Sequence, residues 1–154
     1  MRQLRIYADT SVFGGCFDDE FAQESILLFK EIKIGKFILV TSATLIGELQ
    51  EAPEQVQKIL TELPRENVEY IDFSEEISFL RDEYLKAGIV GAASRGDAEH
   101  IACATVAEVD FVVSWNFKHI VHYDKINAYQ AVNLIQGYKQ IRIYSPKEVV
   151  NDEG

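Results

Sequence analysis

Three short runs constrain this chain more than anything else in it: Leu4 to Ala8 (LRIYA), Phe37 to Thr41 (FILVT) and Phe111 to Ser114 (FVVS). They carry almost no polar alternation, and each leads into a polar turn and then a stretch of helical period. A strand with one wet face alternates; one covered on both faces reads as a continuous apolar run, the habit of parallel sheets between layers of helix. The stretch Ser94 to His122 shows the unit in full. A helix start carries Asp97, the helix runs to about Ala107, the strand at Phe111 follows, and a polar turn then carries Trp115 and Asn116. In open sheets of this kind ligands sit at the carboxyl edge, where strand order reverses and the loops part.

The rest of the chain keeps the same rhythm. After Leu4 to Ala8 come Asp9-Thr10-Ser11 and a loop with Gly14-Gly15 and the acids Asp18, Asp19 and Glu20. Phe21 to Ile34 has the apolar spacing of an amphipathic helix stopped near Gly35. Ser42 is placed to cap a helix from Ala43 to about Glu51, and Pro53 and Pro64 bracket another. Val68 to Phe73 reads as a strand nearer the sheet edge, and Ser74 caps a helix to about Ala87, closed by Gly88. Lys125 to Gln136 is then helical, Gln140 to Tyr144 a last strand and Pro146 to Val150 a terminal helical turn. Strand and helix alternate throughout, which predicts a three-layer α/β/α domain on a mostly parallel sheet of about five strands. Residues 1–150 make one such domain, with 151–154 a frayed tail.

Composition narrows the classes. A chain of 154 residues buries enough surface to fold without staples, and its two cysteines, Cys16 and Cys103, form neither a disulfide framework nor a zinc pattern. The amino terminus enters MRQLRIYAD without an apolar leader, and no run approaches the ~20 apolar residues of a membrane span. A cytoplasmic protein with no membrane association is the expectation. The net charge of −10 argues against a broad basic surface gripping nucleic acid. It leaves room for an enzyme that reaches phosphates through a cation held by its own carboxylates.

Each candidate acid has an ordinary alternative. Asp9, at the end of the first strand, can accept backbone N–H groups in an Asx-turn. Glu48, a quarter-turn from the stripe of Leu45, Ile46 and Leu49, can be a solvated flank residue. Asp97 stands three residues after Ser94, the spacing of a capping box. Yet all three, with Asn116, fall at strand ends or on helices that follow strands. Hard cations such as Mg²⁺ and Mn²⁺ prefer such oxygen ligands.

The ordered set DTSVFGG, a glutamate in the helix after the second strand, GDAEHIACA and VDFVVSWNFKHI resembles the PIN-domain family, VapC-like ribonuclease toxins of toxin–antitoxin pairs among them, over nearly the whole chain. The resemblance implies a metal-dependent ribonuclease, with Asp9, Glu48 and Asp97 matching the family's first three acids and holding Mg²⁺ or Mn²⁺. It also implies an RNA substrate, an antitoxin partner and a homodimer. The fourth acid falls on Asn116, whose neutral amide can orient a water or bind a metal weakly, so one ion is expected rather than two. Asp110 precedes its strand and belongs to the opposite end. Ser114 is expected to hydrogen-bond Asp9, Arg95, Lys118 and His119 to meet phosphate oxygens, and Trp115 either to stack on a base or to pack. His100, Cys16 and Cys103 read as structural.

The rival from another class is a PIN-like module that binds RNA or a protein without cutting, because Asn116 has disabled it. A receiver domain would use Asp9 and Asp72 at strand ends, but needs a second acid beside Asp9 and a lysine after the last strand, where Thr10 and Tyr144-Ser145 stand. A haloacid-dehalogenase-type phosphatase would need D-x-D where the chain has Asp9-Thr10-Ser11.

Overall fold

The computed structural model describes residues 2–150; Met1 and the tail at 151–154, where fraying was expected, lie outside them. Five parallel strands form the sheet: β1 (Leu4–Ala8), β2 (Phe37–Ser42), β3 (Val68–Ile71), β4 (Phe111–Val113) and β5 (Arg142–Tyr144). Their order is β3-β2-β1-β4-β5, and every pairing is parallel.

Side chains of the central strands alternate between two cores, which is why their sequences read as unbroken apolar runs. Tyr7 and Val112 point to one core, shared with α5 (Glu75–Lys86), α6 (Arg95–Val106) and α7 (Tyr123–Ile135) through Leu80, Tyr84, Ile101 and Tyr129. Ile6, Ala8, Phe111 and Val113 point to the other. That core is closed by α1 (Thr10–Gly15), α2 (Ala22–Lys33), α4 (Glu54–Thr61) and, at its rim, α8 (Pro146–Val149). A fully buried leucine or isoleucine at such a position contributes about 1.5–3 kcal/mol relative to exposure. The expected three-layer α/β/α architecture is therefore the observed one.

Helix α3 (Ala43–Gln50) leaves β2 with Ser42 as its cap, the Oγ accepting the Leu45 N–H at 3.1 Å. It sends Leu45 and Leu49 into the second core, while Thr44 and Glu48 reach across to Glu99 and His100 of α6. Strand order reverses between β1 and β4. The first three strands step outward on one side of β1, and the chain then crosses back to place β4 and β5 on the other. Ala8 pairs with Val113, so the next residues of the two strands, Asp9 and Ser114, emerge side by side at the carboxyl edge.

Two local expectations differ. Thr10–Gly15, expected as loop, is a helix, because Val12 and Phe13 are buried and a turn of helix carries both into the core. Ser94 does not cap α6: it closes a 3₁₀ turn, with φ −109° and ψ 24°, and makes no side-chain bond to the helix start.

Candidate functional site

Asp9 follows β1 at the sheet's switch point and is 4% exposed. It accepts no backbone N–H with its side chain at the start of α1, so the Asx-turn alternative is not realised. Its oxygens are held by hydroxyls instead: Ser11 Oγ donates to Oδ1 at 2.5 Å and Ser114 Oγ to Oδ2 at 2.7 Å. Burial pushes its pKa up and the nearby charge of Asp97 adds to that, against His100 and the two hydroxyls, which pull it down.

Glu48 arrives from α3. Its Oε1 accepts from His100 Nε2 at 2.8 Å and from Thr10 Oγ1. Burial raises its pKa, but the bond to His100, that residue's charge and the Thr10 hydroxyl outweigh burial and leave it lowered. Oε2 faces Gly96, where a Cβ would stand 3.2 Å away. The glycine therefore leaves open the space in front of the one Glu48 oxygen not taken by His100 and Thr10.

Asp97 sits in the first turn of α6, where an acid is favoured by the helix dipole. With Ser94 making no cap, the capping-box alternative does not account for it. Burial raises its pKa, and Glu48 adds to the rise; the Asn116 amide, His119 and His100 oppose it. Asn116 belongs to the turn after β4. Its Oδ1 accepts the His119 N–H at 2.9 Å, which fixes the amide orientation, and its own N–H donates to Ser114 Oγ at 2.9 Å.

Asp9, Glu48, Asp97 and Asn116 thus come together from the end of β1, α3, α6 and the turn after β4: Asp97 acts on Asp9, and Glu48 and Asn116 act on Asp97. The remaining candidates separate. Ser114 is buried and bonded to Asp9, whereas Arg95 and Lys118 are exposed and His119 is half-buried with its Nδ1 unpartnered. Trp115 does not offer its ring to solvent. It is buried, stacked on Phe21 at 4.2 Å, and its Nε1 donates to Ser25 Oγ at 2.8 Å. The half-exposed aromatic beside it is Phe117.

Sequence reasoning missed His100, Thr10 and Ser11 as parts of the site. For His100 a signal existed: it is one turn after Asp97, on the same helical face. Asp110 lies at the opposite edge as expected, accepting the Arg5 N–H at 2.7 Å and pairing with Arg2 at 3.1 Å. A cavity of about 490 Å³ lies at that edge too, lined by Arg2, Asp110, Phe111 and Arg142, and takes no part in the acidic cluster.

The side chains of the cluster are oxygen donors, the type that hard divalent cations prefer. The donors are carboxylate and amide oxygens, and two of the carboxyls are pushed up by burial and by a neighbouring acid, Asp9 by Asp97 and Asp97 by Glu48, a cost that a cation would reverse. Among the described residues no three His, Cys, Asp or Glu side chains stand close enough to enclose an ion. The acids therefore form no closed all-protein cage, and an ion there would have to be held as Mg²⁺ commonly is, by one or two carboxylates and waters.

No protein-family model and no curated protein matches the chain. Solved structures do. The chain aligns over 92% of its length with 98% of a chain in VapBC2 from Rickettsia felis, a structure bound to a DNA fragment from their promoter, at TM-score 0.53 and 18% identity. It aligns over 94% of its length with 99% of a chain in FitAcB from Neisseria gonorrhoeae, at TM-score 0.57 and 13% identity. At such identities the likeness is one of fold, and that fold is the PIN-like, VapC-like one.

Proposed function

We propose that this protein is a metal-dependent ribonuclease that hydrolyses RNA phosphodiester bonds, and that it acts in the cytoplasm as the toxin of a toxin–antitoxin pair. The observation that carries this reading is the convergence of Asp9, Glu48 and Asp97 at the switch point of the sheet, with Glu48 Oε2 facing the gap at Gly96. Asp9, Glu48 and Asp97 would hold Mg²⁺ or Mn²⁺ between them, one or two directly and the rest through water. When bound, the ion supplies a Lewis acid that stabilises charge on the phosphate and lowers the pKa of a water.

The chain's own residues do the remaining work. Ser11 and Ser114 fix both oxygens of Asp9, Thr10 and His100 fix one oxygen of Glu48, and the Asn116 amide faces Asp97. Lys118 and Arg95, exposed beside the cluster, are the cations that would meet backbone phosphates in a chain whose net charge is otherwise −10. The fold shared with VapBC2 and FitAcB supports an antitoxin as partner. A homodimer fits the apolar surface that α7 leaves at Tyr123, Leu134 and Ile135.

A second reading, a module that binds without cutting, is favoured by one feature: Asn116 brings a neutral amide rather than a carboxylate to Asp97, and its Oδ1 is engaged by the His119 N–H. Incubation of single-stranded RNA with Mn²⁺ separates the two. The nuclease reading expects slow cleavage that Asp97→Asn abolishes. Mn²⁺ binding without any cleavage above the Asp97→Asn background on varied RNAs replaces it with the binding module.

A further inference from the structure

We propose that His100 is a positioning residue that aims Glu48, through a buried line of hydrogen bonds running from the end of β2 to the acidic cluster. The inference rests on the reading of that cluster as a metal site.

The line has four members. Ser42 Oγ and Tyr7 Oη are 2.7 Å apart, Tyr7 Oη and His100 Nδ1 2.6 Å, and His100 Nε2 and Glu48 Oε1 2.8 Å. Ser42, Tyr7 and His100 are all buried, His100 at 2% exposure. The proton order follows from the ends. An ionised Glu48 only accepts, so Nε2 carries hydrogen whether the ring is neutral or charged. In the neutral ring Nδ1 is then the acceptor and the Tyr7 hydroxyl donates to it. Tyr7 in turn takes the Ser42 hydroxyl proton, while a Ser42 lone pair takes the Leu45 N–H at 3.1 Å. Every buried polar atom of the line is satisfied in a single arrangement, which is what makes such a network rigid.

A histidine that only needed partners in a core would be content with any acceptor. Here the acceptor is Glu48 Oε1, which Thr10 also holds, while Oε2 faces the gap left by Gly96. A glutamate on a surface helix has several rotatable bonds and samples many directions. With Oε1 fixed by two donors from two different elements, the second oxygen is left facing the gap at Gly96. Tyr7 closes the other side of the ring, so His100 cannot rotate without breaking a buried bond at each nitrogen. Such supporting bonds commonly account for about 10–100-fold in metal affinity.

The test uses the whole chain in four forms, with circular dichroism and thermal melts to verify folding and calorimetric titration with Mn²⁺ as readout. His100→Leu keeps bulk and removes both bonds; it should weaken Mn²⁺ binding about 10–100-fold. His100→Gln, whose amide can still donate to Glu48, should recover most of that loss. Tyr7→Phe keeps the ring volume, removes the bonds to His100 Nδ1 and Ser42 while leaving that between His100 and Glu48, and should lose affinity several-fold. A folded His100→Leu or Tyr7→Phe that binds Mn²⁺ like the natural chain overturns the positioning role, as does a His100→Gln no better than His100→Leu. Should His100→Leu not fold, Tyr7→Phe decides. A natural chain that is folded and binds no Mn²⁺ removes the metal reading itself, a different failure.

Discussion

Ser114 Oγ donates to Asp9 Oδ2 at 2.7 Å, tying the carboxyl end of β4 to that of β1. The two strands are neighbours only because the chain crosses back past β1 after β3. The bond therefore spans the reversal itself, and Ser114 also takes the Asn116 N–H at 2.9 Å. One hydroxyl holds Asp9 in place and shapes the turn that carries Asn116. Local sequence does not dictate this contact; the parallel register between Ala8 and Val113 does.

The charges of the cluster give stability a pH dependence whose sign can be worked out. Asp9 and Asp97 are raised above the ordinary 3.8, so the metal-free fold loses stability as pH rises from there through their folded values. Glu48 is lowered from 4.5, so its contribution is present above that value and is lost as pH falls. His100 is raised from 6.5, so its contribution is full below that value and is lost as pH climbs through the folded pKa. Metal-free protein should thus be more stable to urea near about pH 5.5 than near about pH 8. Mn²⁺ competes with protons for the same oxygens, so its gain should be larger at the higher pH, reaching about 2.7 kcal/mol at a hundredfold excess over its dissociation constant. Equal Mn²⁺ effects at both pH values, or none at either, would speak against the carboxylates as its ligands.

The two glycines of α1 should respond oppositely to alanine. At Gly14 nothing lies within 4 Å of the added Cβ, and helix propensity favours Gly14→Ala by about 0.5–1 kcal/mol. At Gly15 the Cβ would stand 2.6 Å from Ser25 Oγ and 2.9 Å from Trp115 Nε1, atoms bonded to each other across the core. Gly15→Ala should therefore cost about 1–3 kcal/mol as α1 is forced off Trp115. Urea denaturation of the two variants checks the contrast, and a neutral Gly15→Ala would mean that Trp115 is not fixed where it is seen.

How much of this was legible in the sequence follows from physics that acts locally or at a distance. The strands at Leu4, Phe37 and Phe111 were readable because burial on both faces leaves a continuous apolar signature, and the caps Ser42 and Ser74 were readable because their bonds are local. Helix α1 was not, since Gly14 and Gly15 argue for a loop and only the burial of Val12 and Phe13 settles it. The same limit explains Trp115. Its position beside polar residues left packing, the commoner outcome, beside stacking on a base. The ring does pack, but the partners that seal it, Phe21 and Ser25, come from a distant helix and its approach and could not be read locally. Among the site residues the acids were visible as strand-end positions, but His100 was read as core filling. Nothing in the spacing says that a residue one turn after Asp97 meets a glutamate fifty-two positions earlier.

Asn116 is where the two proposed readings part, and its contacts predict what Asn116→Asp should do. The turn should survive, because an aspartate oxygen can accept the His119 N–H as Asn116 Oδ1 does at 2.9 Å. What is lost is the amide that lowers the Asp97 pKa, and a like charge takes its place. In chelator the variant should then be less stable than the natural chain, by about 1–3 kcal/mol if the loss matches a removed bond to a charged group. Added Mn²⁺ should more than restore it, because a fourth carboxylate gives the ion a further charged ligand. If the nuclease reading holds, Mn²⁺-dependent cleavage of single-stranded RNA should rise with it. A variant that melts like the natural chain in chelator and gains nothing extra from Mn²⁺ would show that residue 116 does not face the cluster in solution. The correspondence with a fourth acid would then fail, and Asp9, Glu48 and Asp97 would have to account for any activity without it.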